Sequence, residues 1–179
     1  MGLFDRFKKK EPDYDPGNIT IRDLKKGFFV DYDLQTWEVN EAYSYDWGDN
    51  YFTKEFQLTS ASDQIYLHID ENDDLELTVA KKVKLRVIDE DLPEEIVKNE
   101  HPPKKINFKG KTYYRDGENQ GYFSDKPDND DSWTELISWD YYDEEEENFI
   151  NIEQWGEREF EASYGVVAKE FQFSNIIPR

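Results

Sequence analysis

Residues 64–70 read Gln-Ile-Tyr-Leu-His-Ile-Asp, so that Ile65, Leu67 and Ile69 alternate with Tyr66, His68 and Asp70. A period of two belongs to an extended strand whose successive side chains point to opposite faces, one buried and one polar. The pattern returns in Leu75, Leu77 and Val79, and again in Val83, Leu85 and Val87. Glu71, Asn72 and Asp73 lie between the first two runs, and such residues favour a turn, so a hairpin with an exposed tip is expected there. Upstream, Trp37 and Val39 lead one strand, and Phe52, Phe56 and Leu58 mark another. About six strands are expected between Phe28 and Ile88.

Asp89–Lys105 breaks the period. It holds Pro93, Pro102 and Pro103, and Pro93–Lys98 is long enough for one helical turn with proline at its start. It reads as a connector (89–105) between a first half at 19–88 and a second at 106–179. The second half echoes the first. Thr112–Tyr113 matches Thr36–Trp37, Glu135–Leu136 matches Glu55–Phe56, Ile150 and Ile152 match Ile65 and Leu67, and Phe160 and Ala162 match Leu75 and Leu77. Insertions near Asp128–Asp131 and Asp143–Glu147 absorb the drift in spacing. The expected fold is therefore all-β, two related antiparallel β-meander halves forming a sandwich or partly open barrels.

Composition narrows the functions. The chain has 179 residues and no cysteine, which removes disulfides, thiolate metal sites and cysteine nucleophiles, and fits a reducing cytoplasm. Forty-two acids against twenty-two bases give a formal charge of −20, which phosphate backbones repel. No direct nucleic-acid binding is expected, and a protein partner with a basic surface is. Twelve Tyr, twelve Phe and five Trp supply enough apolar area to fold so acidic a chain. No apolar run reaches the length of a membrane-spanning helix.

The order of motifs carries a resemblance. Leu24–Gly27 precedes a strand, then come Thr36–Val39 (Thr-Trp-Glu-Val), Phe52–Leu58, Ile65–Leu67 and a Leu-Glu-Leu strand at Leu75–Leu77. Over residues 19–177 this resembles the bacterial family called domain of unknown function 4178. Phe52 stands where that pattern has tryptophan and Tyr66-Leu67 where it has Trp-Leu, while the second half keeps Trp133 before Glu135. The resemblance implies an all-β bacterial domain of uncharacterised activity, similar to proteins encoded near envelope-stress components, and it implies no catalytic residues.

The chain offers few reactive constellations. Asp70, Asn72 and Asp74 match the first ligands of a calcium loop, but Leu75 replaces its glycine and Lys81 its bidentate glutamate. Asp128, Asp130 and Ser132 fail likewise at Trp133 and Trp139, so both read as turns. His68 and His101 have no partner at metal-ligand spacing and read as surface histidines. No catalytic, cofactor-binding or metal-binding residue is assigned. Aromatics and acids are densest at Trp133, Trp139, Asp140, Tyr141 and Tyr142, the candidate ligand or partner surface. The function expected is a non-catalytic interaction or scaffold module. Its alternatives are a carboxylate-and-aromatic ligand-binding or hydrolytic domain, and an acidic mimic docking a nucleic-acid-binding protein.

Residues 1–18 form a separate basic, amphipathic segment and linker. Leu3, Phe4 and Phe7 fall on one face of a single helical turn, and Lys8, Lys9 and Lys10 follow. Their apolar area and charges favour an anionic membrane surface on the cytoplasmic side, against the cost of ordering a short helix and the repulsion of the acidic body. Full-length protein is expected to co-sediment weakly with anionic vesicles at low salt and not at high salt. Deletion of residues 1–10 is expected to abolish this, and equal pelleting of the truncated protein would remove the membrane role.

Overall fold

The computed structural model describes residues 14–126 and 132–179. Leu3, Phe4, Phe7 and Lys8–Lys10 lie outside the described residues, as does the expected insertion at Asp128–Asp131. The alternating segment is strand β4 (Gln64–Asp70), with Ile65, Leu67 and Ile69 buried. It pairs antiparallel with β3 (Phe52–Thr59) on one edge and β5 (Glu76–Val83) on the other. With β1 (Phe29–Tyr32) and β2 (Gln35–Asp46), the first half holds five strands, not six. Val83, Leu85 and Val87 do not continue as a strand. The chain turns helical at α1 (Leu85–Ile88), burying Leu85 and Ile88, three apart, and leaving Val87 62% exposed. Helix α2 (Leu92–Asn99) covers the turn expected at Pro93–Lys98 and buries Leu92 and Ile96.

The second half runs through β6 (Lys105–Phe108), β7 (Lys111–Ser124), β8 (Thr134–Tyr142), β9 (Asn148–Gly156) and β10 (Glu159–Ala168). A last strand, β11 (Phe173–Ile177), crosses back to pair with β1. Among the described residues these eleven strands form one antiparallel sheet in the order β11-β1-β2-β3-β4-β5-β10-β9-β8-β7-β6. The far ends of β2 and β7 also pair, Tyr45 opposite Phe123 and Asp46 opposite Tyr122. That contact curls β2-β3-β4-β5-β10-β9-β8-β7 into a ring, so the molecule is all-β and barrel-like rather than a sandwich of two sheets.

Strands β6–β10 repeat the connectivity of β1–β5. Both first hairpins turn through two residues at positive φ, Asp33 and Leu34 in one and Lys109 and Gly110 in the other, the geometry that matches strand twist. Both long strands shift register soon afterwards, between Val39 and Glu41 and between Arg115 and Gly117. Trp37 and Tyr113 occupy equivalent places, as do Leu67 and Ile152. Two of the expected equivalences are displaced. Phe56 pairs with Leu67 as Trp139, not Leu136, pairs with Ile152. Val79 pairs with Leu67 as Ala162 pairs with Ile152, so Leu77 corresponds to Phe160. Spacing along the chain counts loop residues, and the β4–β5 and β9–β10 connections differ in length.

Each half packs its apolar face into its own core. Val30, Trp37, Phe56, Leu67 and Val79 belong to one cluster, covered by Ile21 from a 3-10 turn and by Phe173 of β11. Tyr113, Trp139, Ile152 and Ala162 belong to the other, covered by Leu85, Leu92 and Ile96 from the two short helices. Strand alternation then sends the polar faces to the inside of the ring. Among the described residues no helix is long and apolar enough to cross a membrane.

The two halves meet closely where β5 pairs with β10. Gly165 lies opposite Ala80, and a Cβ on it would stand 1.9 Å from the Val79 carbonyl oxygen. Backbone approaches backbone here as no other residue type allows. Gly165→Ala is expected to lower unfolding free energy by about 1–3 kcal/mol or more, the cost of forcing packed elements apart. Gly117→Ala, whose nearest neighbour is an amide nitrogen of Asn119 at 3.7 Å, should be close to neutral in the same urea titration.

Candidate functional site

The inward faces of the ring enclose a cavity of about 280 Å³. Each strand contributes on its period of two: Glu55 from β3, His68 and Asp70 from β4, Asp140 and Tyr142 from β8, Glu153 from β9. Tyr45 and Trp47, stacked with centroids 5.3 Å apart, close the side where β2 meets β7. Tyr45 also meets Phe123 edge-on, and Trp155 does the same from the far side of that ring.

Glu55, Glu153, Tyr45, His68 and Lys82 gather at one end. The Tyr45 hydroxyl donates to Glu153 Oε1 at 3.2 Å. Glu153 is only 5% exposed, and its Oε2 accepts no hydrogen bond. Lys82 Nζ stands 3.7 Å from that oxygen, beyond hydrogen-bonding length, and donates instead to Glu161 at 2.9 Å. Burial pushes the Glu153 carboxyl up, and burial pushes Glu55 up to about 7, with Lys82 opposing and Glu153 reinforcing. His68 Nδ1 is 4.0 Å from Glu55 Oε2. Burial lowers His68 to about 4, partly offset by Asp70. Burial works against the Lys82 ammonium, yet the charges of Glu153, Glu55 and Glu161 hold it well above its ordinary range.

At the other end Tyr51 donates to Asp70, whose Oδ1 accepts from the backbone and side-chain nitrogens of Asn72. Asp140 accepts from Asn151 at 2.9 Å and Asn119 at 3.4 Å, and burial raises its carboxyl. Asp143 has a different task. It accepts from the backbone nitrogens of Glu147 and Asn148 and from Lys111, and these bonds overcome its burial and bring it down to about 2. The acidic run at Glu144–Glu147 is thus a turn anchored by Asp143.

The structure splits the candidate surface of the sequence. Trp139 and Tyr141 are fully buried in the second core, where Trp139 Nε1 donates to Glu118 at 2.8 Å and the Tyr141 hydroxyl donates to the Pro103 carbonyl at 2.6 Å. Asp140 and Tyr142, on the alternate face of the same strand, line the cavity. Trp133 is half-buried before β8 and does not line it. His68 is not a surface histidine, because its polar face turns inward. Tyr45, Glu55 and Glu153 were not singled out in the sequence; the signal available was the polar half of each alternating strand. His101 stays in the connector, its Nδ1 3.0 Å from the Pro102 carbonyl oxygen. Among the described residues no three His, Asp or Glu side chains are grouped to hold a metal ion.

The chain belongs to the family described as Domain of unknown function (DUF4178), whose profile matches residues 25–170 and so spans the whole cavity lining. It is similar to an uncharacterized protein of Aquifex aeolicus (strain VF5), at 29% identity over 185 residues covering all of both chains. No solved structure matches it.

His68 and Glu55 make opposite demands on stability. In the unfolded chain histidine gains its proton below about 6.5 and glutamate loses its proton above about 4.5; folded, Glu55 holds its proton to about 7 and His68 takes one only near 4. Between those limits the pair holds one proton in either state, so its contribution is level with pH. Glu55→Gln leaves only the histidine, for which the unfolded chain binds more protons, and stability should rise with pH from about 4 to 6.5, relative to the parent protein. His68→Gln leaves only the glutamate, for which the folded chain binds more, and stability should fall from about 4.5 to 7. Urea midpoints across this range check the signs, and slopes of the same sign in both variants would refute the assignment.

Proposed function

We propose that this protein is a binding domain for a small polar molecule, held in the cavity inside the strand ring. One observation carries the reading: Glu153 lines the cavity, and its buried Oε2 accepts no hydrogen bond, with the Lys82 ammonium 3.7 Å away. Buried polar atoms are nearly always paired, so an orphan acceptor beside an internal space is a place that a bound molecule completes. At about 280 Å³ the cavity lies near the lower limit of small-molecule sites, which favours a ligand of only a few heavy atoms. Several carboxylates lining one cavity favour ligand binding over a bare scaffold. We take the compartment to be the cytoplasm, on the absence of cysteine. We also take the two halves to be copies of one five-stranded unit, on their shared turns and register shifts.

Filling the cavity tests the reading. Thr78 lines it from β5, half-buried, and Thr78→Trp places an indole in the space. In an NMR screen of small polar compounds, binders should shift the amides of Glu55, Asp140 and Glu153. They should lose binding to Thr78→Trp while its melting temperature stays within a few degrees of the parent. Binders that map to the outer surface, or that bind the filled variant equally, would count against it.

A further inference from the structure

Resting on the cavity as the binding site, we infer that its ligand is a small organic cation, an alkylamine or diamine, held by the carboxylates and aromatic rings that line it. Glu55, Asp70, Glu76, Asp116, Asp140 and Glu153 line the space, and among the described residues no lysine or arginine does. An ionised carboxylate only accepts hydrogen bonds, so the orphan Oε2 of Glu153 calls for a donor. A ligand ammonium would bring the donor that Lys82, ion-paired with this oxygen at 3.7 Å, does not supply. Lys82 leaves this oxygen unbonded because its ammonium is directed to Glu161.

The acids are spread along the cavity: Glu55 and Glu153 act on Tyr45, Asp140, Glu76 and Asp116 act on Tyr142, and Asp140 also acts on Glu153. Acids spread over several strands suit a chain carrying more than one ammonium better than a single point charge. The same lining includes Tyr45, Tyr66, Tyr142 and Phe149. The negative face of an aromatic ring attracts an alkylammonium, and the protein already uses this contact, with Lys82 Nζ 5.2 Å from the Tyr66 ring centroid. A hard metal ion fits less well. Calcium takes six to eight oxygens converging on one point, and among the described residues no three acidic or histidine ligands converge.

Calorimetric titration of the full chain at physiological salt with four probes separates the cases: 1,4-diaminobutane, 1,4-butanediol, succinate and calcium ion. The diamine is expected to bind saturably and the other three not to bind. Glu153→Gln on β9 and Asp140→Asn on β8 should each weaken diamine binding at least tenfold, and Thr78→Trp should abolish it. Should Glu153→Gln fail to fold, Asp140→Asn carries the test. If the diol, succinate or calcium binds as tightly as the diamine and Thr78→Trp abolishes that binding, the cavity is the site but the cation assignment falls. If the diamine binds the parent, Asp140→Asn and Thr78→Trp alike, it is condensing on the acidic exterior and the assignment falls too. If no probe binds and the wider NMR screen finds no cavity ligand, both readings fall together.

Discussion

Closure of the sheet on itself is the constraint from which the rest follows. Two antiparallel contacts close the ring, β5 with β10 along seven residue pairs and β2 with β7 along three. The first depends on Gly165, which lets the β10 backbone reach Val79 and Ala80 at a distance that a methyl group would forbid. The second is backed by Gly121, where a Cβ would strike the Trp47 ring at 2.5 Å, and by the rings of Tyr45 and Phe123. With both contacts made, each apolar face points away from the ring and needs its own cover. A 3-10 turn and β11 cover one, and two short helices cover the other. The edge strand β11, which closure leaves outside the ring, is thereby used as a lid.

The same closure confines ionisable groups. Withdrawing carboxylates from bulk water is unfavourable unless they are paired or protonated, and Glu55, Asp140 and Glu153 all respond by holding their protons more tightly. Lys82 offsets part of this, being shared between Glu153 and Glu161. An apolar filling of similar volume is often as stable as a buried ionic cluster, or more so. A ring designed for stability alone would have used one. Perturbed acids around an internal space are what the proposed binding site would use.

Much of this was readable in the strands and little in their closure. The alternation of Ile65, Leu67 and Ile69 with Tyr66 and His68 gave the pairing, the buried face and the hairpin. It could not say that the second face meets an enclosed cavity, because a period of two distinguishes two faces without naming what lies beyond each. Aromatic density pointed to β8, but a strand carries its neighbours to opposite sides, so Trp139 and Tyr141 went to the core and Asp140 and Tyr142 to the cavity. Val83, Leu85 and Val87 fitted a strand as well as the helical pair Leu85 and Ile88 did, and a short apolar run holds nothing to separate the two.

Comparison of the two halves argues that the cavity's chemistry is set separately from its fold. At equivalent outward positions both halves place apolar groups: Leu67 and Ile152, Phe56 and Trp139, Val79 and Ala162. These side chains fill close-packed cores, where volume and polarity are both restricted. At equivalent inward positions the chemistry parts company: His68 stands where the second half has Glu153, Glu55 where it has Ser138, and Tyr66 where it has Asn151. No packing rule demands an imidazole in one and a carboxylate in the other, since both face the same open space. The unlike pairs make the interior asymmetric within a nearly symmetric frame, with Glu153 left short of a hydrogen bond and Glu55 close to the titration point of neutral water. Part of that asymmetry ties the halves together, since Tyr45 of β2 donates to Glu153 of β9, and the rest would give the proposed ligand unlike surroundings on its two sides.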